Sequence, residues 1–430
     1  MALKDEHLAD LHRRARDQRV SGYRMMTRDE LIAVLEEGVG AEEIAEGEPS
    51  AEEAEERIRE PESGGREPKP ERREPKPERR EPEPEPDAEP VTGVLDRMPA
   101  GYGFLRLSGL RESEGDVYVS ASQIRRCELR PGDEVSGPAR PPRRGERHRA
   151  LVRVESVNGQ SPEGERTTFE DITPAPPHRR LLSPEASGDP LVRAADLLGP
   201  LAFGQRVLVL AQPRSGRTSL LRAIGAAVAD SAHLCVLLAD ERPEEVPQWE
   251  SALPNAELFA ATADQEPRDQ VREAELAMGH AKRLAEGGED VVVLIDSLSR
   301  LALGYRDAAR VKRIFGAGRE LGDDRSGSLT VIATVLESDD RGAEVREALE
   351  TTENLLLRLD AGLAAKGIVP ALVPGDSRVS GEDQLRDPEE LERVRRLRDE
   401  LSGLDAEQAA RALGEQIAAT ASNAELLARL

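Results

Sequence analysis

Aromatic side chains are scarce: Phe, Trp and Tyr together make up 2% of the 430 residues, with a single Trp. Cysteine is scarcer still, with Cys127 and Cys235 far apart and Cys235 inside an apolar run. That number and spacing exclude a disulfide framework or a cysteine-rich metal site, and both read as small core side chains in a reducing compartment. No apolar run approaches the ~20 residues needed to cross a bilayer, and no charged-then-apolar leader opens the chain. A cytoplasmic protein without membrane contact is expected. Charge of one sign, by contrast, is plentiful. Acidic residues outnumber basic ones by 84 to 60, a net charge of −24, which argues against general adhesion to nucleic acid. The surplus is unevenly placed, and the length allows two to four domains.

Residues 1–38 read as a helical N-terminal module: Leu8, Leu11 and Ala15, then Leu31, Ile32 and Leu35, keep helical spacing around Val20–Tyr23. Thr27 and Glu30 have the spacing of a capping box. Arg13, Arg14, Arg16, Arg19 and Arg24 suit either nucleic-acid contact or a solvated face that docks protein. Residues 39–91 read as a disordered acidic linker. Ala41–Pro90 holds 19 acidic and 9 basic residues and a seven-residue repeat (Arg66–Arg72, Arg73–Arg79). Alternating proline and charge cannot bury a core and favours extended chain.

Residues 92–155 change character. Short runs at Val91–Leu95, Gly103–Leu107, Asp116–Val119 and Ala150–Val154, separated by Gly, Pro and Ser, have the pattern of a small Greek-key barrel. From Gly93 to Arg153 there are 12 Arg against 8 acidic residues, a local excess of positive charge in an acidic chain. Tyr102, Phe104 and Tyr118 all fall here. Exposed aromatics on a basic barrel face stack single-stranded bases at ~1–3 kcal/mol each, although Phe104 and Tyr118 also suit a core.

A Pro-rich connector, residues 156–189, leads into residues 190–430, where strand and helix patterns alternate. Apolar runs at Val207–Ala211, His233–Ala239, Ala256–Ala260, Asp290–Ser297, Ser328–Val335 and Asn354–Leu359 predict buried strands. Thr218–Val228 and Gln270–Ala285 predict helices, and Leu391, Val394, Leu397 and Leu401 mark amphipathic helices near the end. Such alternation implies a largely parallel sheet covered on both faces, with ligands at the strand C-terminal ends. Val207–Ala211, a turn with Pro213 and Gly216, and the helix from Thr218 form a strand–turn–helix unit able to cradle phosphate. Thr218 stands where a hydroxyl would hold Mg²⁺, and Arg217 where a phosphate loop carries lysine. Ala211 replaces the first glycine of that pattern, so an ordinary strand-to-helix turn also fits. Asp296 ends a strand as a Mg²⁺-linked acid or as a helix N-cap. Glu241 ends another, as the carboxylate that polarises attacking water or as a surface acid.

Together with Gly101–Arg106, Asp116–Arg126, Arg140–Arg147, Asp240–Val246, Asp296–Ala302, Phe315–Arg319 and Asn423–Leu426, these features make the chain resemble the bacterial Rho transcription termination factors. Those are hexameric RNA-dependent ATPases and RNA–DNA helicases. The resemblance implies a small helical module, an OB- or cold-shock-like β-barrel and a RecA-like α/β core with a mainly parallel sheet. It implies ATP and Mg²⁺ as ligands, and pyrimidine-rich single-stranded RNA, a homo-hexameric ring and the RNA polymerase transcription complex as partners. By resemblance, Tyr102, Phe104, Arg106, Tyr118, Arg143, Glu146 and Arg147 grip RNA. Ala202, Phe203, Gly204, Gln205, Arg206, Val207, Arg214, Ser215, Gly216, Arg217, Thr218, Ser219 and Arg242 bind ATP. Glu241, Asp296 and Arg217 are implied to be catalytic, and Thr218 and Asp296 to hold the metal.

Several positions depart from the family pattern. Arginine at 217 is bulkier and planar where the family has a compact lysine charge. Tyr305–Arg310 closes the interval that carries the family's first channel loop. Leu349–Asn354 offers carboxylates where the second channel loop offers lysine, and acid repels RNA phosphate. Ser380 falls at or near the inter-subunit arginine finger, with Arg378 two residues away. Weak hydrolysis and translocation are the expectation, and an RNA-binding regulatory paralogue without motor activity is the alternative.

Overall fold

The computed structural model describes residues 88–184, 188–305, 307–322, 327–338 and 340–430. The helical N-terminal module and nearly all of the acidic linker lie outside the described residues.

Strand β1 (Glu89–Arg97) pairs antiparallel with β2 (Gly103–Arg106), and β2 with β3 (Val117–Val119). Helix α1 (Ala121–Arg126), capped by Ser120 and Gln123, leads to β4 (Glu134–Arg140), β5 (Arg149–Leu151) and the short β6 (Ser156–Val157). β3 runs parallel to β5 and β5 antiparallel to β4, which returns antiparallel to β1 from Glu89↔Ala139 to Val94↔Glu134. The five strands therefore close a barrel, with β6 paired outside β4. Leu95, Leu105, Val117, Val119, Ile124, Val135 and Leu151 alternate inward to fill it.

β4 carries Gly137 and Pro138 and has no strand signature in the sequence. The barrel tolerates both. Pro138 lies opposite Pro90, so two positions without N–H groups face each other. A Cβ on Gly137 would lie 2.1 Å from the Arg153 carbonyl oxygen, so only glycine permits that approach. Because β4 pairs along the whole start of β1, the strand begins at Glu89, inside the stretch read as linker.

The larger sheet orders as β10-β9-β11-β13-β8-β14-β15. In chain order the elements are β7 (Pro174–Ala175), α2 (Pro190–Leu198), β8 (Arg206–Ala211), α3 (Arg217–Val228), β9 (His233–Glu241), α4 (Val246–Ala252), β10 (Glu257–Thr262) and α5 (Pro267–Glu286). Then come β11 (Asp290–Asp296), α6 (Leu298–Tyr305), α7 (Ala308–Phe315), β12 (Arg319–Leu321), β13 (Ser328–Leu336), α8 (Asp340–Leu349) and β14 (Leu355–Leu359). α9 (Ala361–Ala365), β15 (Arg378–Val379), α10 (Pro388–Ser402), α11 (Ala406–Ala418) and α12 (Asn423–Ala428) complete the chain. The six strands from β10 to β14 are parallel; β15 and the short β12–β7 pair are antiparallel.

Burial on both faces explains why the central strands are continuous apolar runs. Val207, Val209, Leu234, Val236, Val292 and Leu294 meet α2, α3 and α10–α12 on one face. Leu208, Leu210, Cys235, Leu237, Val291, Val293 and Ile295 meet α5–α8 on the other. Both cysteines are buried and free.

The barrel docks on α5. Gly132 (φ 87°) turns so closely against the helix that a Cβ there would lie 2.4 Å from the Gly279 carbonyl carbon. Ion pairs Arg130–Glu286 (2.7 Å) and Arg272–Asp96 (2.6 Å) flank this contact. Among the described residues no helix is long and apolar enough to cross a membrane.

Candidate functional site

β8 ends at Ala211, and the chain passes through residues 212–216 into α3. Arg214 (φ 63°) and Gly216 (φ 91°) both take left-handed conformations, which turn the backbone sharply enough to start the helix. Gly216 is the N-cap and supplies no side-chain acceptor. The first-turn N–H groups and the positive end of the α3 dipole are thus available to an anion.

The acids ending β9 and β11 converge on this turn. Asp296 is 1% exposed and Glu241 7%. Arg217 Nε donates to Asp296 Oδ1 at 2.7 Å, and Arg217 Nη2 to Glu241 Oε2 at 3.4 Å. Thr218 Oγ1 donates to Asp296 Oδ2 at 3.1 Å, and Thr334 Oγ1 to Oδ1 at 3.0 Å. Arg300 Nη1 donates to the Asp240 carbonyl and lies 4.0 Å from Glu241 Oε1. Arg214, Ser219 and Arg242 are exposed around the turn, while Ser215 is buried. Arg217, Thr218, Glu241 and Asp296 are therefore one cluster, to which the structure adds Thr334 and Arg300. Thr334 sits in an apolar strand with nothing to single it out in sequence. Arg300 sits in the first turn of α6, four residues after Asp296, a proximity in sequence that could have flagged it.

Ala202–Arg206 lie elsewhere. They lead into β8, which Arg206 opens, and its six residues span roughly 20 Å, so within one chain they lie at the opposite end of the strand from the turn. There they are used internally. The Gln205 amide bridges Ala202 N–H and the Pro200 carbonyl, and Gly204 N–H donates to Thr330 Oγ1 at 2.9 Å. Arg206 Nη1 donates to the Gly318 carbonyl at 2.6 Å. Val207 is buried in the core.

The hydroxyl of Thr218 and the carboxylate of Asp296 are hard oxygen donors of the type Mg²⁺ takes. The guanidinium of Arg217, however, already bonds that carboxylate and touches Glu241. As it stands, the donor set is matched to the arginine and does not fit the ion.

On the barrel, Tyr102, Phe104 and Tyr118 form one aromatic group. Ring centroids lie 5.8 Å (Tyr102–Phe104), 5.7 Å (Tyr102–Tyr118) and 6.0 Å (Phe104–Tyr118) apart. His148 adds a ring 5.0 Å from Phe104. Phe104, Tyr118 and His148 line a cleft of about 670 Å³ with Ser120, Gln123, Arg126, Arg140, Glu146 and Arg147. Tyr118, at 36% exposure, is not a core residue. Arg140 donates to both Glu146 oxygens, at 2.6 and 2.9 Å, and Arg143 N–H to one at 2.9 Å. Those bonds hold the Glu146 carboxyl down at about 2. Glu146 thus anchors its loop, leaving Arg143 and Arg147 on an exposed rim. Arg126 and His148, absent from the sequence-based set, join the cleft only because α1 and β5 bring them there.

Arg106 is placed differently from expectation. It is 3% exposed, and its guanidinium is held between Asp96 and Asp116. From there it lies 5.7 Å from the Phe104 ring centroid and braces the barrel beneath it.

Near the sheet's other edge, Glu347, Glu350 and Glu353 line a cleft of about 510 Å³ with Arg346, Arg358, Asp376 and Arg378. Arg378 is exposed on β15, and Ser380 N–H donates to the Asn354 carbonyl at 2.8 Å. α6 ends at Tyr305 and α7 begins at Ala308, so little chain separates them.

Comparison with known proteins bears on both sites. Residues 91–163 match the family described as Rho termination factor, RNA-binding domain. Residues 192–318 match the ATP synthase alpha/beta family, nucleotide-binding domain. The chain is 39% identical over 370 residues to Transcription termination factor Rho of Streptomyces lividans, covering 79% of this chain and 52% of that protein. It is 38% identical over 337 residues to the factor of the same name from Bacillus subtilis, covering 72% of this chain and 78% of that protein. The chain spans about half to three-fifths of the length of the first relatives it matches. Among solved structures, an ATPase from the type III secretion system of pathogenic bacteria superposes with a TM-score of 0.50 at 20% identity, over 65% of this chain and 93% of that one.

Proposed function

Because the chain belongs to the family of Rho transcription termination factors, we propose that it binds single-stranded RNA on the barrel and ATP at the α3 turn, and hydrolyses the nucleotide only weakly. The aromatic group of Tyr102, Phe104 and Tyr118 supplies faces for stacked bases, and Arg126, Arg143 and Arg147 supply charge for phosphate. A preference for pyrimidine-rich RNA is what the family resemblance implies. The amides that open α3, with Arg214 and Arg242, meet the triphosphate. Glu241 is the group positioned to polarise attacking water. Rho-type activity further implies a hexameric ring working on the RNA polymerase transcription complex.

One observation carries the prediction of weak hydrolysis: Arg217 contacts both Asp296 and Glu241. An arginine that holds both carboxylates occupies the oxygens that would otherwise orient water and metal. The carboxylates of Glu350 and Glu353 favour the second reading, a regulatory RNA-binding paralogue without motor activity, since acid lining an RNA path repels phosphate.

The decisive assay is RNA-stimulated ATP turnover by the full chain, with Glu241→Ala as control. Slow turnover, changed little by the substitution, is expected. A fast rate that collapses in Glu241→Ala would rule out the impaired reading.

A further inference from the structure

We propose that the α3 turn takes a nucleoside triphosphate without its divalent cation, the guanidinium of Arg217 standing where the ion's charge would be needed. The inference rests on the nucleotide reading of this turn and deepens it.

Asp296 and Thr218, the oxygen donors for a divalent ion, and the nearby Glu241 are all drawn into one network around Arg217. Its Nε bonds Asp296 Oδ1 at 2.7 Å, its Nη2 reaches Glu241, and the Thr218 hydroxyl closes on Asp296 Oδ2. Asp296 cannot swing away to serve an ion elsewhere. It is buried at the end of β11, and Thr334 holds the same oxygen as Arg217 does. The guanidinium yields the carboxylate only by leaving bodily. Until it does, a divalent ion at Asp296 would face a fixed like charge across a short distance in a partly dehydrated site.

Lysine at this position would behave differently. Its single ammonium can move along the phosphates and leave Asp296 to the metal, whereas arginine's fork is spread across two acids. The metal-free triphosphate carries more negative charge than its magnesium complex. This turn meets it with Arg217 at its base, the exposed Arg214 and Arg242 at its rim and the helix amides between. Arginine thus supplies the electrostatics of binding while obstructing the metal-assisted step.

The test is the affinity of the full chain for a fluorescent ATP analogue in excess Mg²⁺ and in excess EDTA, comparing wild type, Arg217→Lys and Asp296→Asn. For wild type the dissociation constant should differ between buffers by less than about 3-fold, and for Arg217→Lys by about 10-fold or more, weaker in EDTA. Asp296→Asn changes the absolute affinity by releasing Arg217, but the ratio between its two buffers should stay below about 3-fold, because no ion is being held there. Electron paramagnetic resonance should detect nucleotide-dependent Mn²⁺ uptake by Arg217→Lys and none by wild type. A wild-type protein that loses as much affinity in EDTA as Arg217→Lys overturns the proposal. So does a difference between the two buffers in wild type that Asp296→Asn abolishes. Absence of nucleotide binding in both buffers overturns the nucleotide site itself, and this inference with it.

Discussion

Two arginines carry opposite lessons. Arg106 lies in the segment Gly101–Arg106 that resembles an RNA-binding motif, yet its charge is spent between Asp96 and Asp116 inside the barrel. Removing it leaves the buried Asp116 without a cation and Asp96 with Arg272 alone, a loss of about 3–5 kcal/mol. Arg106→Ala should therefore unfold the barrel, read as lost near-UV circular dichroism and new proteolytic cleavage between residues 89 and 157. Tyr118 is the contrast, since its ring is exposed on the cleft beside those of Tyr102 and Phe104. Tyr118→Ala should weaken binding of a pyrimidine-rich oligoribonucleotide by roughly 5- to 150-fold, the ~1–3 kcal/mol of one stacked base, with an unchanged melting temperature. Equal weakening by Arg411→Ala on the distant α11 would contradict base stacking.

The docking of the barrel on α5 depends on backbone shape and on a titrating cluster. Gly132 combines a left-handed φ with a carbonyl carbon 2.4 Å from where its Cβ would be, so any side chain must push the barrel off the helix. Gly132→Ala is expected to lower stability by at least ~1–3 kcal/mol, measured by chemical denaturation. Beside it, His280 of α5 pairs with Glu257 of β10 at 3.3 Å, and His233 of β9 sits between Glu257 (3.1 Å) and Glu289 (3.0 Å). His280 Nδ1 also meets the Gly132 carbonyl at 3.1 Å. Burial pulls the His280 pKa down, but the Glu257 partnership outweighs it and raises the value. For His233 the hydrogen bond to Glu257 is the leading cause of the rise. Burial would raise Glu257, yet the two histidines hold it at about 2.

A raised histidine stabilises fully below its unfolded pKa near 6.5 and loses that contribution as pH climbs through the folded value. The depressed Glu257 stabilises above ~4.3 and loses that contribution as pH falls toward about 2. The cluster thus contributes most between roughly pH 4.5 and 6.5. The melting temperature of wild type relative to His280→Gln should be higher at pH 6 than at pH 8.5. A constant difference across that range would exclude the linkage.

At the scale of the whole molecule, the net charge of −24 hides a cationic cleft. With two or three arginines meeting phosphate, log affinity for single-stranded RNA should fall against log salt with a slope of about −1.5 to −2. A slope near zero would point to binding without phosphate contact.

The parallel strands were legible because each is buried on both faces, which forces a continuous apolar run such as Val291–Ile295. The turn into α3 was legible for a related reason: a strand, a left-handed glycine and a helix start must be adjacent in sequence. β4 was not, because Gly137 and Pro138 are acceptable there only through the particular neighbours the closed barrel supplies. The amino-acid order alone therefore determined the element types, the barrel-then-sheet plan and the identity of Arg217, Glu241 and Asp296. Folding alone decided what those charges do: which arginine is consumed in the interior, which threonines hold Asp296, and that Arg217 clasps both acids. Such pairings join residues dozens of positions apart, and no local pattern encodes a distance across a sheet.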